Sequence, residues 1–272
     1  MFVSTKTYII FVPLTKNKKT MYTLDNPKYP VYDNGQLHIS ISFRNGKLGN
    51  IPQFNTLSGD EPLRLINGRY LTNIKGTCGE CCSDCKDSCY AIRISMLHHN
   101  TIIPAWSRNT VILRNDPDKV KREISEYCRK NIVKYFRFHT SGELENAEHL
   151  NLYCDICREN DDVIFYIYTK RFDLLADYFV VKKNPLPDNF IINLSEWNGN
   201  IEKFISARPD SKEVRDFFDK LNIFAYDEGR SEYSYMIHCP AIDKTGHETG
   251  VTCAQCRRCM KKESHVTAVF AH

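Results

Sequence analysis

Polar and apolar residues first alternate over residues 36–43 (QLHISISF), the pattern of a strand with one buried face. Gly46, Gly49, Pro52, Gly59, Pro62, Gly68 and Gly76 then punctuate a loop-rich stretch. The pattern changes at Asp116-Pro117, an N-cap followed by proline at the first helical position, which predicts a helix to about residue 131. Residues 134–139 (KYFRFH) predict a strand and residues 145–158 a helix. An aromatic, β-branched strand follows over residues 163–169 (VIFYIYT), then a helix over 172–181 and a buried strand over 190–194 (FIINL). A short helix is expected over 211–220 with Ser211 as its N-cap. Strands are expected over 221–226, 233–237 and 265–271.

Strands alternating with helices predict βαβ units on a parallel sheet. The fold class is therefore α/β. About five to seven strands suit a partial or full β/α barrel, TIM-like in kind. A doubly wound open sheet is the rival. No repeat or linker divides the chain, so one compact domain is expected. It comprises a β/loop region over 1–75, a barrel core with a cysteine loop over 76–238, and a cysteine segment over 239–272.

Hydrophobic residues are 42% and charged residues 26%, ordinary for a globular protein. The net charge of +4 permits an anionic partner without arguing for one. Arg257, Arg258, Lys261 and Lys262 form only a short basic stripe, so nucleic acid is a partner the sequence allows but does not indicate. No segment approaches the ~18 apolar residues of a membrane span. The apolar run at residues 8–12 has no small-residue cleavage site after it, unlike a secretory signal. A cytoplasmic location follows as the expectation, where thiols stay reduced. Twelve cysteines in such a compartment point to metal more than to disulfides.

Five of them crowd the stretch TCGECCSDCKDSCYA: Cys78, Cys81, Cys82, Cys85 and Cys89. Thiolates are soft ligands that hold zinc or iron–sulfur clusters. Cys78, Cys82 and Cys85 have the CxxxCxxC spacing by which radical S-adenosylmethionine enzymes hold three irons of a [4Fe–4S] cluster. Cys78, Cys85 and Cys89 form a wider set. Beyond the strand at 134–139 come Ser141, Gly142 and Glu143. That position is similar to the Gly-Gly-Glu with which those enzymes bind the amino group of S-adenosylmethionine. A glutamate on a flexible backbone at a strand end suits a cationic amine. The bland alternative is that Ser141 or Glu145 starts a helix.

A second group, Cys253, Cys256 and Cys259, has CxxCxxC spacing, with Cys239-Pro240 upstream. This spacing signals a second [4Fe–4S] cluster; zinc needs the same four thiolates. Arg257, Arg258 and Lys261 either offset the negative charge of such a group or form a solvated basic face. Cys128, Cys154 and Cys157 are expected to be core thiols. His98 and His99, adjacent on a helix, point apart and are not taken as ligands. His139 either lines the site or is a core histidine.

KLGNIP (residues 47–52), the cysteine loop ending in Cys89-Tyr90-Ala91, YFRFHTSGE (135–143), YTK (168–170), NLSEW (193–197) and CxxCxxC (253–259) occur in this order. The ordered set resembles the phage gene product 88 family over residues 40–270. That family looks like a divergent relative of radical S-adenosylmethionine proteins. The resemblance implies a β/α barrel, Cys78, Cys85 and Cys89 as ligands of the first cluster, and S-adenosylmethionine held by Ser141, Gly142, Glu143 and Tyr90. It also implies an electron donor and a substrate of unspecified class. Reduction of the first cluster would then cleave S-adenosylmethionine to a radical that abstracts hydrogen. The competing expectations are a zinc or cluster module that binds nucleic acid or a host protein, and a redox protein without S-adenosylmethionine.

Overall fold

The computed structural model describes residues 32–33, 36–64, 70–79, 85–86, 89–227 and 236–270. The early strands are short: β1 Tyr32–Asp33, β2 Gln36–Leu37, β3 Ile41–Ser42, β4 Gln53–Phe54, β5 Pro62–Arg64 and β6 Tyr70–Lys75. Three helices follow, α1 Tyr90–Leu97, α2 His99–Asn115 and α3 Pro117–Asn131. The alternating part contains β7 Tyr135–Phe138, α4 Ala147–Glu159, β8 Ile164–Thr169 and α5 Phe172–Leu175, which continues as a π-helical turn, Ala176–Val181. Next come β9 Phe190–Glu196, α6 Asn200–Ser206, α7 Ser211–Phe218, β10 Asn222–Asp227 and β11 Ile237–His238. The chain closes with α8 Cys253–Cys256, a 3-10 turn Arg258–Met260 and β12 Val266–Phe270.

Local chemistry explains most boundaries. Asp116 accepts from Lys119 N at 3.1 Å and starts α3, and Asn146 accepts from His149 N at 2.9 Å and starts α4. The strand expected over residues 36–43 is instead two pieces. Ile39 N donates to the Glu123 carboxylate at 2.7 Å and Ser40 N to Asn109 Oδ1 at 2.7 Å, so side chains take the donors a ladder would use. Helix α7 is capped at Asp210 rather than Ser211. Asp210 makes no side-chain cap bond; Arg208 holds its carboxylate at 2.7 Å. Residues 8–12, 68, 233–235 and 271 of the expectations above lie outside the described residues.

Eight strands form one sheet in the order β11-β12-β10-β9-β8-β7-β4-β3. All its pairings are parallel except β3 with β4. From β4 through β7, β8, β9 and β10 to β12 the neighbours follow chain order. The strand-order reversal of a doubly wound sheet is absent from that run, which corrects the rival expectation. The sheet ends at β3 and β11, so the described strands close no full barrel. Helix α4 packs on one face of this run, with its Tyr153 stacked on Phe138 of β7.

The two faces carry different chemistry because successive side chains alternate. On one face Phe138 stacks on Tyr153 of α4 at 4.1 Å and on Phe165 at 5.4 Å, with Phe136 and Phe190 packed beside them. Burial of these aromatic rings is a main source of stability for this layer. The other face presents Tyr135, Arg137, Tyr166, Tyr168, Ile191 and Asn193, and it is the face that meets the second cysteine group. His139 ends β7 at a positive φ of 53°. It is buried, with Nε2 2.8 Å from the Tyr153 hydroxyl, and so belongs to the aromatic layer.

The chain divides into two compact units. One comprises residues 1–40, 55–123 and 141–145, the other residues 41–54, 124–140 and 146–272. The stretch expected as 1–75 is shared between them, that expected as 76–238 likewise, and 239–272 lies wholly in the second. The first unit has its own apolar core of Leu57, Leu63, Ile74, Ala91, Ile103, Trp106 and Val111.

Cys128, Cys154 and Cys157 are buried in the second unit, as expected of core thiols. Burial pushes Cys128 and Cys154 from the ordinary thiol value of 9.0 up to about 12, and raises Cys157 well above that value. An unfolded chain therefore releases these protons near 9.0, while the native chain keeps them to about 12. The contribution to stability is complete below the lower value and declines as pH rises between the two. Chemical denaturation should show the second unit weaker at pH about 10.5 than at pH about 7, and Cys128→Ala and Cys154→Ala should each reduce that difference. An identical alkaline loss in both variants would show that other groups cause it.

Candidate metal centre

The second cysteine group is built on a tight chain reversal. Thr252 caps α8 in a reciprocal capping box with Gln255, placing Cys253 and Cys256 on a single helical turn. Arg257 takes a left-handed conformation with φ 56°, and the 3-10 turn that follows carries Cys259. Cys239 arrives from β11, its N–H bonded to Ala268 O at 2.7 Å.

The Lys47–Leu48–Gly49 backbone forms the seat of this turn. Cys253 N donates to Lys47 O at 2.9 Å and Ala254 N to Leu48 O at 3.2 Å. Gly49, at φ +72°, lies so close that a Cβ would stand 3.1 Å from both Ala254 Cβ and Thr252 Oγ1. Glycine is required there on both counts. From the sheet, Asn193 donates to Cys259 O at 3.0 Å and Asn222 to Lys261 O at 2.8 Å. Met260 is buried among Leu48, Ile51, Tyr166 and Ile191 and anchors the turn to the sheet.

The four thiols share one electrostatic neighbourhood. Burial raises Cys253, and negative charge on Cys239 or Cys256 adds to that rise, while Arg137 and Lys47 oppose it. Burial likewise pushes Cys259 up to about 11; a hydrogen bond from Tyr168 opposes the rise, and the other three thiols add to it. Arg137 lies 4.4 Å from the Tyr168 ring centre, a cation–π contact. All-sulfur donors beside a cation suit zinc or an iron–sulfur cluster, whose binding displaces the thiol protons. Among the described residues no three His, Cys, Asp or Glu side chains stand in metal-binding geometry, so the described cysteines form no ready-made shell.

The first cysteine group lies in the first unit, where three backbone segments interlock. Thr56 N donates to Ser141 O at 3.1 Å and Thr77 N to Leu57 O at 2.9 Å. Ser141 Oγ bonds Thr56 O at 2.8 Å and Ser58 Oγ at 2.7 Å. Glu143 N donates to Thr77 Oγ1 at 2.9 Å, which ties Glu143 to the residue before Cys78. Glu143 is 6% exposed, and its carboxylate accepts from Leu144 N at 2.8 Å. Arg114 braces the same segments through Glu145, Lys75 O and Gly76 O. Helix α4 is capped by Asn146, so neither Ser141 nor Glu145 serves as a helix start.

Cys78 Sγ accepts from Gly59 N at 3.2 Å, Cys85 is half-buried, and Cys89 sits at the N-cap of α1 against the apolar core. Tyr90 is 49% exposed. Cys81, Cys82 and Ser88 lie outside the described residues. None of the ten described cysteines forms a disulfide. The seat at Lys47–Gly49, the sheet residues Arg137, Asn193 and Asn222, and the segment Asn55–Gly59 are structural supports that cysteine spacing alone does not reveal.

The basic segment is engaged rather than a free stripe. Arg258 donates to Thr267 Oγ1 at 2.9 Å, and Arg257 lies 5.4 Å from the Tyr135 ring centre. Lys262 pairs with Asp188 at 2.9 Å and Lys261 with Glu263 at 3.7 Å. Among the described residues no helix is long and apolar enough to cross a membrane.

A mostly parallel α/β sheet, with one cysteine group on its polar face and another in a separate unit, defines the class of protein. The chain belongs to the gene product 88 family, whose model, described as Gene product 88, matches residues 41–262. It is 25% identical over 232 residues to the Gene 88 protein of Mycobacterium phage L5, covering 78% of this chain and 90% of the relative. It is 24% identical over 232 residues, with the same coverage, to the Gene 88 protein of Mycobacterium phage D29. No solved structure matches.

Proposed function

We propose that the protein is an iron–sulfur protein of the radical S-adenosylmethionine type, acting in the cytoplasm of a bacterial host. In this reading Cys239, Cys253, Cys256 and Cys259 hold one [4Fe–4S] cluster and Cys78, Cys85 and Cys89 hold a second. The observation that carries the iron–sulfur part is the CxxCxxC turn seated on the sheet, its four thiols within electrostatic reach of one another. That spacing matches the cysteine run of ferredoxin-type clusters, with Cys239-Pro240 as the remote ligand.

The radical part rests on the bond between Glu143 and Thr77, beside Cys78, two segments that are far apart in sequence. It also rests on strands that follow chain order, as in a partial β/α barrel. Cys78, Cys85 and Cys89 would hold a [4Fe–4S] cluster, which would supply one-electron chemistry toward S-adenosylmethionine, the electron coming from an external donor. Glu143 supplies a carboxylate for the amino group of the methionine moiety; Ser141 and Gly142 shape the backbone around it, and Tyr90 flanks the loop. An external electron donor and a substrate complete the system. The zinc-module alternative, with nucleic acid or a host protein as partner, draws less support because Arg257, Arg258, Lys261 and Lys262 already have partners within the chain.

The test is electron paramagnetic resonance of the anaerobically purified, reduced protein, titrated with S-adenosylmethionine. The expected result is a cofactor-dependent change in the signal, with apparent affinity falling about tenfold or more in Glu143→Ala for the loss of a charged contact. A cluster signal indifferent to S-adenosylmethionine overturns the radical part and leaves a redox protein.

A further inference from the structure

We propose that a cavity beside the first cysteine group binds a free α-amino acid with a small apolar side chain. The inference goes beyond the iron–sulfur reading and does not depend on it. The cavity has a volume of about 260 Å³. Pro62, Leu63 and Ile92 give it apolar walls, and Asp60, Glu61 and Lys86 give it charge. All of these residues lie in the first unit. Gly59, which also lines the cavity, donates its N–H to Cys78 Sγ at 3.2 Å, and Lys86 directly follows Cys85.

The volume lies just below the roughly 300–1,000 Å³ of drug-sized sites, so the occupant is small. Leu63 is buried in the core of the first unit and Ile92 packs against that core, which fixes the apolar wall. Lys86 Nζ stands 2.8 Å from Asp60 Oδ1. This contact holds the Asp60 carboxyl below its ordinary value of 3.8, so the carboxylate is ionised at neutral pH. The Lys86 and Asp60 side chains are 41% and 32% exposed. A pair this open contributes little to stability and separates readily. Each partner also keeps hydrogen-bonding capacity beyond the other. An α-amino acid carries the same two charges on a single carbon. Its carboxylate pairs with Lys86, its ammonium pairs with Asp60, and its side chain covers Leu63 and Ile92. A ligand with one charge engages half of the pair, and a neutral ligand engages neither half.

The test is isothermal titration calorimetry of the anaerobically purified full chain with L-leucine, L-valine and L-methionine. Isoamylamine, which is leucine without its carboxylate, and isocaproate, which is leucine without its amine, serve as analogues. L-leucine is expected to bind, and each analogue to bind about tenfold or more weakly, for the loss of one charged contact. Lys86→Ala should weaken L-leucine by a similar factor and remove its advantage over isoamylamine. Asp60→Asn should remove its advantage over isocaproate. Arg215→Ala breaks an exposed pair with Glu202 and should leave the affinity unchanged. The inference is overturned if none of the three amino acids binds, if the analogues bind as well as L-leucine, or if Arg215→Ala weakens binding as much as Lys86→Ala. Binding of S-adenosylmethionine but of no amino acid also overturns it and leaves the reading above standing. Amino-acid binding to a chain indifferent to S-adenosylmethionine upholds the inference without that reading.

Discussion

Cys259→Ser is expected to remove one of two clusters and lower bound iron from about eight to about four atoms per chain. Cys259 is half-buried, and burial pushes its thiol up to about 11. Its carbonyl is fixed by Asn193, and the next residue, Met260, is buried in the sheet cluster. A serine hydroxyl keeps the size but is a hard donor with little affinity for a sulfur-bridged iron. With three ligands left on a turn that has no pre-formed shell, the group should not assemble. Iron and sulfide assays on protein purified without oxygen read the result directly. Unchanged iron in Cys259→Ser would show that these four cysteines hold no cluster.

Gly142→Ala is expected to destabilise the first unit by about 3 kcal/mol or more, summing left-handed strain and overpacking. Gly142 has φ +83°, a conformation that L side chains rarely adopt. An added Cβ would run into Thr56 Oγ1 and stand 2.7 Å from Thr77 Oγ1. Those two hydroxyls are 2.8 Å apart and bonded to each other, and Thr77 Oγ1 also accepts from Glu143 N. Neither can yield without breaking a buried hydrogen bond, which itself costs about 1 kcal/mol. Trp106 lies in the core of this unit, so its fluorescence in a Trp197→Phe background reports urea unfolding there. A loss under about 1 kcal/mol would mean that the interlocked segments are looser than their hydrogen bonds imply.

The alternating half of the fold was legible because its strands are rich in aromatic and β-branched residues and two of its helices follow the short polar residues Asp116 and Asn146. β8, β9 and the helix starting at Pro117 fall where periodicity and the Asp116-Pro117 cap place them, and the helix expected over 145–158 is found at Ala147–Glu159. Helix α2 was not legible. It contains Pro104 and buries Ser107, Arg108, Asn109 and Thr110, so its inward face does not look apolar. Asn109 donates to Ser40 O and Asn55 O, and Thr110 Oγ1 accepts from Leu57 N. These polar groups are core residues because they satisfy the backbone of neighbouring loops, which no hydrophobic pattern reports.

The two cysteine groups were legible from spacing, and so was the glutamate after β7. Their supports were not. Gly49 acts through close approach to Thr252 and Ala254, some two hundred residues later in the chain. Asn193 and Asn222 act on backbone carbonyls, which cysteine spacing does not report. Such residues become visible when the sheet register brings Arg137, Tyr166 and Ile191 side by side.

The measurement that bears most directly on the iron–sulfur reading is the content of iron, acid-labile sulfide and zinc in the wild-type chain purified under anaerobic conditions. Iron and sulfide in equal amounts, about eight of each per chain, are expected for two [4Fe–4S] clusters. Zinc bound without iron, persisting after attempted cluster reconstitution, would contradict it and leave both cysteine groups as structural zinc clasps.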